Sequence, residues 1–480
     1  MWHPHAPRMG DDQAVRIIVV GAGEVGTYVA DRLSGQDHDV VLIEADAERY
    51  RQLEQEMEGL DVHKVLGSGT DPEALREAGV EDTDLLVAVT KGDEVNILCA
   101  LLARHSGVPK TVVRVESRRL RRAQSAALFA GADDHLVIDP DEEVADAVLR
   151  LVALPGALEF NEMAGGEVVV LSARLPGHAP LVGESLRRLG QRLEPDWDFI
   201  VGSITRRENE DEAERTVIPR GDWTLREGDL LTVICKKRAL ESVIRDLGLA
   251  REVPDHALLL GGGRTAEMLA GSLMERGIDV AIIEKREDRA KQLADRLGVL
   301  VFPGDITDAS LLDDAGVAKP RGVVVALTGH DDANVLACLY AKVASRRYRG
   351  EDGPETIAVV HRLQLLDLLE AHEVDATISP RTATANSVLR FVRGEGDTVA
   401  AVSTSLHGDA EVLEFAVAPG CSCDGRLISD LGLHEDVLIG AIVRDGKPQI
   451  ARGRSTLRAR DHVVAVVRPG QAERLSELFE

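Results

Sequence analysis

The chain carries the same arrangement of landmarks twice, and this duplication constrains its fold more than any other feature. The first copy reads RIIVVGAGEVGTYVADRL and then VVLIE, and the second reads HALLLGGGRTAEMLAGSL and then VAIIE. A single glycine-rich loop between a strand and a helix is only weak evidence for nucleotide binding. Two such loops with matching downstream landmarks indicate a duplicated nucleotide-binding unit.

The apolar pattern predicts four domains in the 480 residues. Continuous β-branched strands that alternate with helical segments predict a parallel sheet covered on both faces in residues 15–155 and again in residues 255–395. Strand-rich stretches around a short helical piece predict a small module in residues 156–248 and 396–480. The fold class is therefore α/β, with two Rossmann-like doubly wound parallel-sheet domains that are each followed by a small α+β domain. Residues 1–14 have no apolar core, unlike a signal peptide, and are expected to form a disordered tail.

Charge and cysteine content exclude several classes of function. The net charge of -26 disfavours nonspecific binding to nucleic acid or to anionic lipid. No apolar run reaches the roughly 18 residues of a membrane-spanning helix. The five cysteines are scattered, which fits a reducing cytoplasm. Cys421 and Cys423 resemble half of a metal clip, but no second pair or nearby histidine completes it, so no metal site is predicted.

The first loop has each part of a dinucleotide-binding fingerprint. Gly21 permits the tight turn after the strand, Gly23 lets a pyrophosphate approach the backbone, and Gly26 lets the helix pack on the sheet. The helix N-terminus offers N–H groups and a positive dipole end to phosphates. The loop residues predicted to surround the ligand are Gly21, Ala22, Gly23, Glu24, Val25 and Gly26. The alternative is that these glycines only make a tight strand-to-helix turn.

An acidic residue follows each loop at the end of the next strand. Glu44 is placed to accept hydrogen bonds from ribose hydroxyls and to repel a 2′-phosphate, which favours NAD or adenosine nucleotides over NADP. The second loop has Gly261, Gly263 and Arg264, then Glu284, with Ala266 in place of the third glycine. Arg264 is either a phosphate partner or a solvated surface residue.

Further polar landmarks recur at the predicted ends of strands. Ser68 and Thr70 lie in a loop that either lines the adenine side of the pocket or only caps a helix. Thr90 and Thr328 end the fourth strand of each copy, where ligands of α/β proteins bind. Asn96 follows Thr90 on the next helix. Arg114 in the fifth strand is within reach of a phosphate, and its counterpart in the second copy is expected to be His361 or Arg362.

No catalytic arrangement of side chains recurs in the two copies. The appended modules of about ninety residues are smaller than the substrate domains of dehydrogenases and hold no cluster of titratable groups. The chain is therefore not expected to be an enzyme. Two alternatives stay open: an NAD-dependent oxidoreductase that uses one or both loops, and Rossmann-like domains retained only for oligomerisation.

The segments GAGEVG, VVLIE, LGSGTDPEALREAGVEDTDLLVAVTKGDEVNILCALLA and SPRTATANSVLRFV together resemble the TrkA family. These are the cytosolic nucleotide-binding subunits of bacterial Trk potassium-uptake systems. The resemblance runs from Val15 to about Val467 and includes the RCK-N and RCK-C modules twice. Two departures bear on nucleotide preference and second-site occupancy: Ser68 stands where many relatives carry aspartate, and Ala266 interrupts the second glycine pattern.

The resemblance implies a homotetramer whose eight Rossmann-like domains form a ring on the inner face of the membrane, in contact with it only through a TrkH-type partner. The ring would bind NAD(H), ATP or ADP and gate potassium flux. Our own hypothesis for gating is that a triphosphate orders neighbouring basic groups such as Arg264. Carried over by position, the ligand residues are Gly21, Gly23, Gly26, Glu44, Thr90, Asn96 and Arg114. A nucleotide-sensing subunit of another cation transporter remains an alternative.

Overall fold

The computed structural model describes residues 15–35, 38–57, 60–123, 134–207, 214–249, 253–349, 353–362, 374–393, 399–404, 410–468 and 471–479. The predicted tail, residues 1–14, lies outside this described part. The chain divides into two compact units, Met1–Pro140 and Asp141–Glu480. No helix within the described ranges combines the length and the apolar composition needed to cross a bilayer.

The first unit is built around a six-stranded parallel sheet, as its β-branched strands predict. Its strands are β1 (Arg16–Val20), β2 (Asp39–Glu44), β3 (Val62–Leu66), β4 (Leu85–Ala88), β5 (Lys110–Arg114) and β6 (His135–Ile138). Its helices are α1 (Glu24–Ser34), α2 (Ala47–Glu56), α3 (Pro72–Glu77), α4 (Asp93–His105) and α5 (Arg118–Ala123). The strand order is β3-β2-β1-β4-β5-β6. Because the order reverses between β1 and β4, a crevice opens at their carboxyl ends.

Helix α6 (Pro140–Ala153) leads into the second unit, which continues with an antiparallel module. The five strands of this module have the order β10-β9-β11-β8-β7. They are β7 (Glu159–Met163), β8 (Val168–Arg174), β9 (Phe199–Arg206), β10 (Arg215–Val217) and β11 (Leu230–Lys236), with helices α7 (Leu186–Arg192) and α8 (Leu240–Asp246).

A second six-stranded parallel sheet follows, with the order β14-β13-β12-β15-β16-β17. Its strands are β12 (His256–Leu260), β13 (Asp279–Glu284), β14 (Leu300–Pro303), β15 (Gly322–Ala326), β16 (Glu355–Val359) and β17 (Ala376–Ile378). Its helices are α9 (Arg264–Glu275), α10 (Glu287–Leu297), α11 (Ala309–Asp314), α12 (Asp331–Arg349) and α13 (Pro380–Arg393). The order matches that of the first sheet, so the chain has two doubly wound parallel sheets.

Helix α6 packs against the second parallel sheet. Its buried residues Val144, Val148 and Val152 belong to the same apolar cluster as Leu259 and Val325 of the sheet. The amphipathic pattern of this helix marks one apolar face but does not state which sheet receives it. The helix that follows β6 in sequence therefore completes the core of the later domain.

The two antiparallel modules pack face to face within the second unit. The second module has the order β18-β19-β22-β20-β21. Its elements are β18 (Val399–Thr404), β19 (Glu411–Ala416), β20 (Val437–Arg444), β21 (Lys447–Ile450), β22 (His462–Val467) and helix α14 (Ala472–Phe479). A Cβ added at Gly202 would lie 2.6 Å from Val466 Cγ2, and one added at Gly440 would overlap Ile234. These matched glycines allow the two sheets to approach, and the contact buries apolar side chains from both modules.

Candidate functional site

The first loop (residues 21–26) makes a tight turn at the carboxyl end of β1. Gly21 has φ +99°, a left-handed conformation that favours glycine, and its N–H donates to the Ile43 carbonyl at 2.9 Å. A Cβ at Gly21 would also lie 2.8 Å from Thr90 Cγ2. The turn is therefore fixed from both neighbouring strands, as the fingerprint predicts.

The loop leaves an open space at the start of α1. No described atom lies within 4 Å of a Cβ added at Gly23, which caps the helix without any side-chain hydrogen bond. Glu24 and Val25 begin the helix, the first exposed and the second half-buried. A Cβ at Gly26 would overlap the Gly21 carbonyl oxygen, so only glycine brings the helix this close. The result is a cradle of backbone N–H groups that suits a phosphate.

Glu44 lies beside this cradle and fixes the loop. Its Oε2 accepts the Ala22 N–H at 2.8 Å, and its Oε1 accepts the Asp46 N–H at 2.8 Å. Each carboxylate oxygen has a further lone pair for a ribose hydroxyl. The Ala22 side chain itself is buried. Its carbonyl accepts a hydrogen bond from Arg49 Nε at 2.8 Å.

Sequence reasoning missed this arginine and its counterpart in the second copy. Arg289 Nε donates to the Gly262 carbonyl at 2.9 Å, as Arg49 does to Ala22. Each arginine follows its acidic strand end by five positions, which a residue-by-residue alignment of EADAER with EKREDR would have detected. Both arginines hold the outer side of a loop.

Thr90 and Asn96 bind each other rather than offering free groups to the crevice. The Asn96 side chain is fully buried, and its Oδ1 accepts from the Thr90 N–H at 2.9 Å and from Thr90 Oγ1 at 2.6 Å. Its Nδ2 donates to the Thr90 carbonyl at 3.0 Å and to the Arg114 carbonyl at 2.9 Å. The resemblance implied that both residues are ligands. In the structure their hydrogen bonds join the carboxyl ends of β4 and β5, and a contact with a ligand stays a prediction.

Ser68 and Thr70 lie at the same edge, after β3. Their hydroxyl oxygens are 2.8 Å apart, and Ser68 Oγ accepts the Thr70 N–H at 3.2 Å. Asp71 caps α3 by accepting the Glu73 N–H at 2.9 Å. A Cβ at Gly69 would overlap Val20 at the end of β1, so this loop closes against the strand that leads into the cradle.

Arg114 ends β5 and forms an ion pair with Glu116. The backbone beyond it is held by Asp93, in the first turn of α4. The Oδ1 and Oδ2 atoms of Asp93 accept the N–H groups of Glu116 and Ser117 at 2.9 and 2.8 Å. Asp93 was not predicted, because only the folded chain brings it to this turn.

The second loop (residues 261–266) repeats this geometry. Gly261 has φ +104°, no described atom lies within 4 Å of a Cβ added at Gly263, and Glu284 Oε2 accepts the Gly262 N–H at 2.8 Å. Thr328 Oγ1 donates to Asn334 Oδ1 at 2.6 Å, as Thr90 does to Asn96. The second crevice therefore has the same backbone framework as the first.

The prediction that His361 or Arg362 is the counterpart of Arg114 is wrong. Asn334 Nδ2 donates to the Val359 carbonyl at 2.8 Å, as Asn96 donates to that of Arg114. His361 and Arg362 instead donate their N–H groups to Asp331, and so correspond to Glu116 and Ser117. The equivalence is set by backbone hydrogen bonds, which a comparison of basic side chains does not reveal. The second crevice thus has valine where the first has arginine.

Arg264 is held by an acidic residue of the second unit. Its Nε lies 3.4 Å from Asp141 Oδ2, and Thr265 Oγ1 donates to Asp141 Oδ1. Asp141 belongs to the first turn of α6. The solvated surface arginine considered from the sequence therefore does not describe Arg264, and its role as a phosphate partner stays a prediction.

Replacing Asp331 by asparagine is expected to destabilise the second unit in a pH-dependent way. Burial raises the pKa of Asp331, but N–H groups of His361 and Arg362 outweigh it and bring the pKa down to about 2. A lowered pKa gives stability that is complete above the unfolded value of about 4 and is lost as pH falls towards 2. Asp331→Asn should lower the free energy of unfolding by about 2 kcal/mol at pH 7 and by less at pH 3. Urea unfolding at both pH values measures this, with exposed Asp332→Asn as the control, and an equal loss at both would contradict it.

The cysteine pair does not form a metal centre with other described groups. Cys421 Sγ and Cys423 Sγ are 3.1 Å apart in the core of the last module, and burial raises the pKa of Cys423 to about 12. Within the described ranges, no cluster of three or more histidine, cysteine, aspartate or glutamate residues is arranged to hold a metal ion.

Known protein families match most of the chain. The TrkA-N domain matches residues 17–136 and 257–380, and the TrkA-C domain matches residues 170–248 and 412–480. The Trk system potassium uptake protein TrkA of Halomonas elongata is 32% identical over 459 residues, which cover 94% of this chain and 96% of that protein. The TrkA homolog of Archaeoglobus fulgidus is 30% identical over 467 residues, covering 97% of this chain and 100% of that protein.

Solved structures share the fold at lower identity. The GsuK RCK domain has a TM-score of 0.56 and 18% identity, over 100% of this chain and 98% of that one. The GsuK channel bound to NAD gives a TM-score of 0.56 and 18% identity, over 100% of this chain and 81% of that one. At this identity the likeness concerns the fold.

Proposed function

The chain belongs to the TrkA family, and from this premise we propose that it is a nucleotide-binding subunit that controls potassium transport through a TrkH-type membrane partner. The relatives are named as Trk system potassium uptake proteins, and the sequence match covers nearly their whole length. We place the protein in the cytoplasm, on the inner face of the membrane, held there by its partner. A subunit of another cation transporter is the alternative.

One observation carries the nucleotide-binding part of the proposal. Each parallel sheet ends in an open cradle at Gly23 or Gly263, with a carboxylate from the next strand bonded to the loop. A cradle of N–H groups binds phosphate, and a carboxylate at the end of the next strand binds ribose hydroxyls. We propose NAD(H), ATP and ADP as ligands. The GsuK channel, which shares the fold, has been solved bound to NAD.

The proposed site residues fall into two groups. In the first crevice, the loop, Glu44, the Ser68–Thr70 turn and Arg114 would surround the ligand, and Thr90 and Asn96 would position it. In the second, Gly261, Gly263, Arg264 and Glu284 would surround the ligand, and Thr328 would position it. The proposed domains are residues 15–155, whose last helix, α6, packs on the second parallel sheet, and residues 156–248, 255–395 and 396–480.

Control of transport requires that a nucleotide bind two states of the assembly unequally. A ligand with equal affinity for the open-promoting and closed-promoting states does not shift the equilibrium between them. ATP and ADP differ in charge at the cradle, so we expect different affinities and different potassium flux.

The test is calorimetric titration of the full chain with NADH, NAD, ATP and ADP, followed by potassium flux with the membrane partner. Binding without consumption of NADH supports the proposal. Failure of all four to bind contradicts it, and turnover of NADH with candidate substrates would favour the oxidoreductase.

We propose that the chain assembles as a homotetramer, and exposed apolar side chains on two equivalent helices support this. Val95 and Leu98 on α4 are 39% and 45% exposed, and Leu336 and Val343 on α12 are 61% and 48% exposed. Each pair lies near one face of its helix. Uncovered apolar faces of this kind are characteristic of contacts between chains.

Charging these faces should therefore dissociate the assembly. The double change Leu98→Asp and Leu336→Asp places carboxylates where apolar burial contributes about 2 kcal/mol per leucine. Light scattering coupled to size exclusion should show the molar mass falling from four chains to two or one. Leu300→Asp, at a leucine that is 62% exposed on β14, is the matched control and should leave the mass unchanged. An unaltered mass in the double variant would refute this interface.

A further inference from the structure

We propose that Asp141 makes the second crevice select adenosine ligands of low negative charge over ADP and ATP. Its carboxylate acts as a resident anion at the start of α9, where the phosphates of a nucleotide would otherwise bind. The inference rests on the proposed function, because it presupposes that the second loop accepts an adenosine ligand.

The carboxylate is bonded to the first two residues of α9. Thr265 Oγ1 donates to Asp141 Oδ1, and Arg264 Nε lies 3.4 Å from Asp141 Oδ2. The Asp141 side chain is 27% exposed, so the contact is partly shielded from water. The positive end of a helix dipole stabilises a carboxylate there as it would a phosphate. Both anions therefore compete for Arg264 and for the same dipole.

Asp141 is held in place by packing of α6 along its length. Val144 and Val148, one and two turns further on, are buried against the second sheet. Ser387 Oγ donates to Glu143, and the Gly156 N–H donates to Glu355 Oε1 at 3.1 Å beyond the other end of the helix. Moving the carboxylate away would thus disturb a packed helix, which favours rejection of a highly charged ligand over displacement of Asp141.

The residues that bind Asp141 are specific to the second copy. The first loop has Glu24 and Val25 where the second has Arg264 and Thr265. Neither can repeat the Arg264 ion pair or the Thr265 hydrogen bond with a carboxylate. Helix α13 follows the second sheet through Ser379, Pro380 and Arg381, and α6 follows the first sheet through Asp139, Pro140 and Asp141. The position after the proline is therefore positive in one copy and negative in the other. The two crevices are therefore built for ligands of different charge.

Removing this one charge should change ligand preference. The experiment uses the full chain with Gly23→Asp, which closes the first cradle, and titrates ATP, AMP and adenosine calorimetrically. Asp141→Asn keeps the shape and removes the charge, and is expected to raise the affinity for ATP roughly 10-fold, as expected for one repelled charge at a partly solvated site. Adenosine affinity should change less than about twofold, because adenosine carries no charge. Asp146→Asn, at an exposed residue of the same helix, is the control for net charge.

The outcomes separate the inference from the proposed function. ATP affinity that rises in Asp141→Asn and in Asp141→Ala, but not in Asp146→Asn, supports it. Equal ATP affinity in the aspartate and asparagine forms overturns the inference and leaves nucleotide binding intact. If no ligand binds the second crevice in either form, the inference fails along with the second site. A parallel titration of the Gly263→Asp chain then reports on the first site alone, and so on the proposed function.

Discussion

Replacement of Gly23 by aspartate is expected to abolish adenine-nucleotide binding at the first crevice while the fold stays intact. No described atom lies within 4 Å of a Cβ at this position, and the backbone has φ -72°, which any residue adopts. The new carboxylate would occupy the space into which a phosphate must come and would repel it. We expect affinity for ATP and NADH to fall roughly 100-fold or more, equivalent to about 3 kcal/mol. Titration calorimetry measures the affinity, and scanning calorimetry measures the stability.

The second copy provides a matched control for this change. Gly263 has the same open surroundings, so Gly263→Asp should remove binding at the second crevice and leave the first unaffected. The double variant should bind no adenine nucleotide. Retention of full ATP and NADH affinity by a folded Gly23→Asp chain would show that the cradle is not the nucleotide site.

Replacement of Gly26 by alanine is expected to damage the fold of the first unit. A Cβ there would overlap the Gly21 carbonyl oxygen and lie 3.3 Å from Val89 Cγ2, so α1 would have to move off the loop. A side chain forced against backbone costs about 3 kcal/mol or more. In scanning calorimetry the transition of the first unit should fall by roughly 10 °C. Nucleotide affinity should fall with it, because the loop and the helix start would separate.

Ala266→Gly makes the reverse change at the equivalent position and serves as the comparison. Ala266 is fully buried, so the second loop already accommodates a methyl group at this contact. Its removal from a helix should cost about 1 kcal/mol. If Gly26→Ala melted within about 2 °C of the parent chain and bound nucleotide normally, the close contact between loop and helix would be needed neither for stability nor for binding.

Much of the architecture could be predicted because it depends on local pattern. Buried β-branched strands separated by helices specify two parallel sheets, and Gly21 and Gly261 mark the turns where left-handed backbone is required. The carboxylates of Glu44 and Glu284 lie beside the loops, as their spacing indicates. These features are repeated, so each copy supports the interpretation of the other.

The rest depends on contacts between residues distant in sequence. Asp93 and Asp331 bind backbone N–H groups more than twenty positions away, and no local pattern distinguishes them from ordinary acidic helix starts. The resemblance implied that Asn96 contacts a ligand, whereas its side-chain amide makes four hydrogen bonds within the protein. The charge on Arg264 was visible, whereas its partner Asp141 became apparent only once α6 was placed on the second sheet.

The face-to-face packing of the two antiparallel modules has a consequence for how the copies evolve. Joined in one chain, they form a contact with the pseudo-symmetry of a dimer of identical subunits, with Gly202 and Gly440 at equivalent places in it. In a dimer of identical subunits, every mutation appears in both crevices at once. In the fused chain a mutation can change one crevice while the other keeps its sequence, so selection acts on each crevice separately. Arg264 in place of Glu24 and Val359 in place of Arg114 are such one-sided changes. Fusion therefore lets one gene maintain two crevices of different composition in a fixed one-to-one ratio.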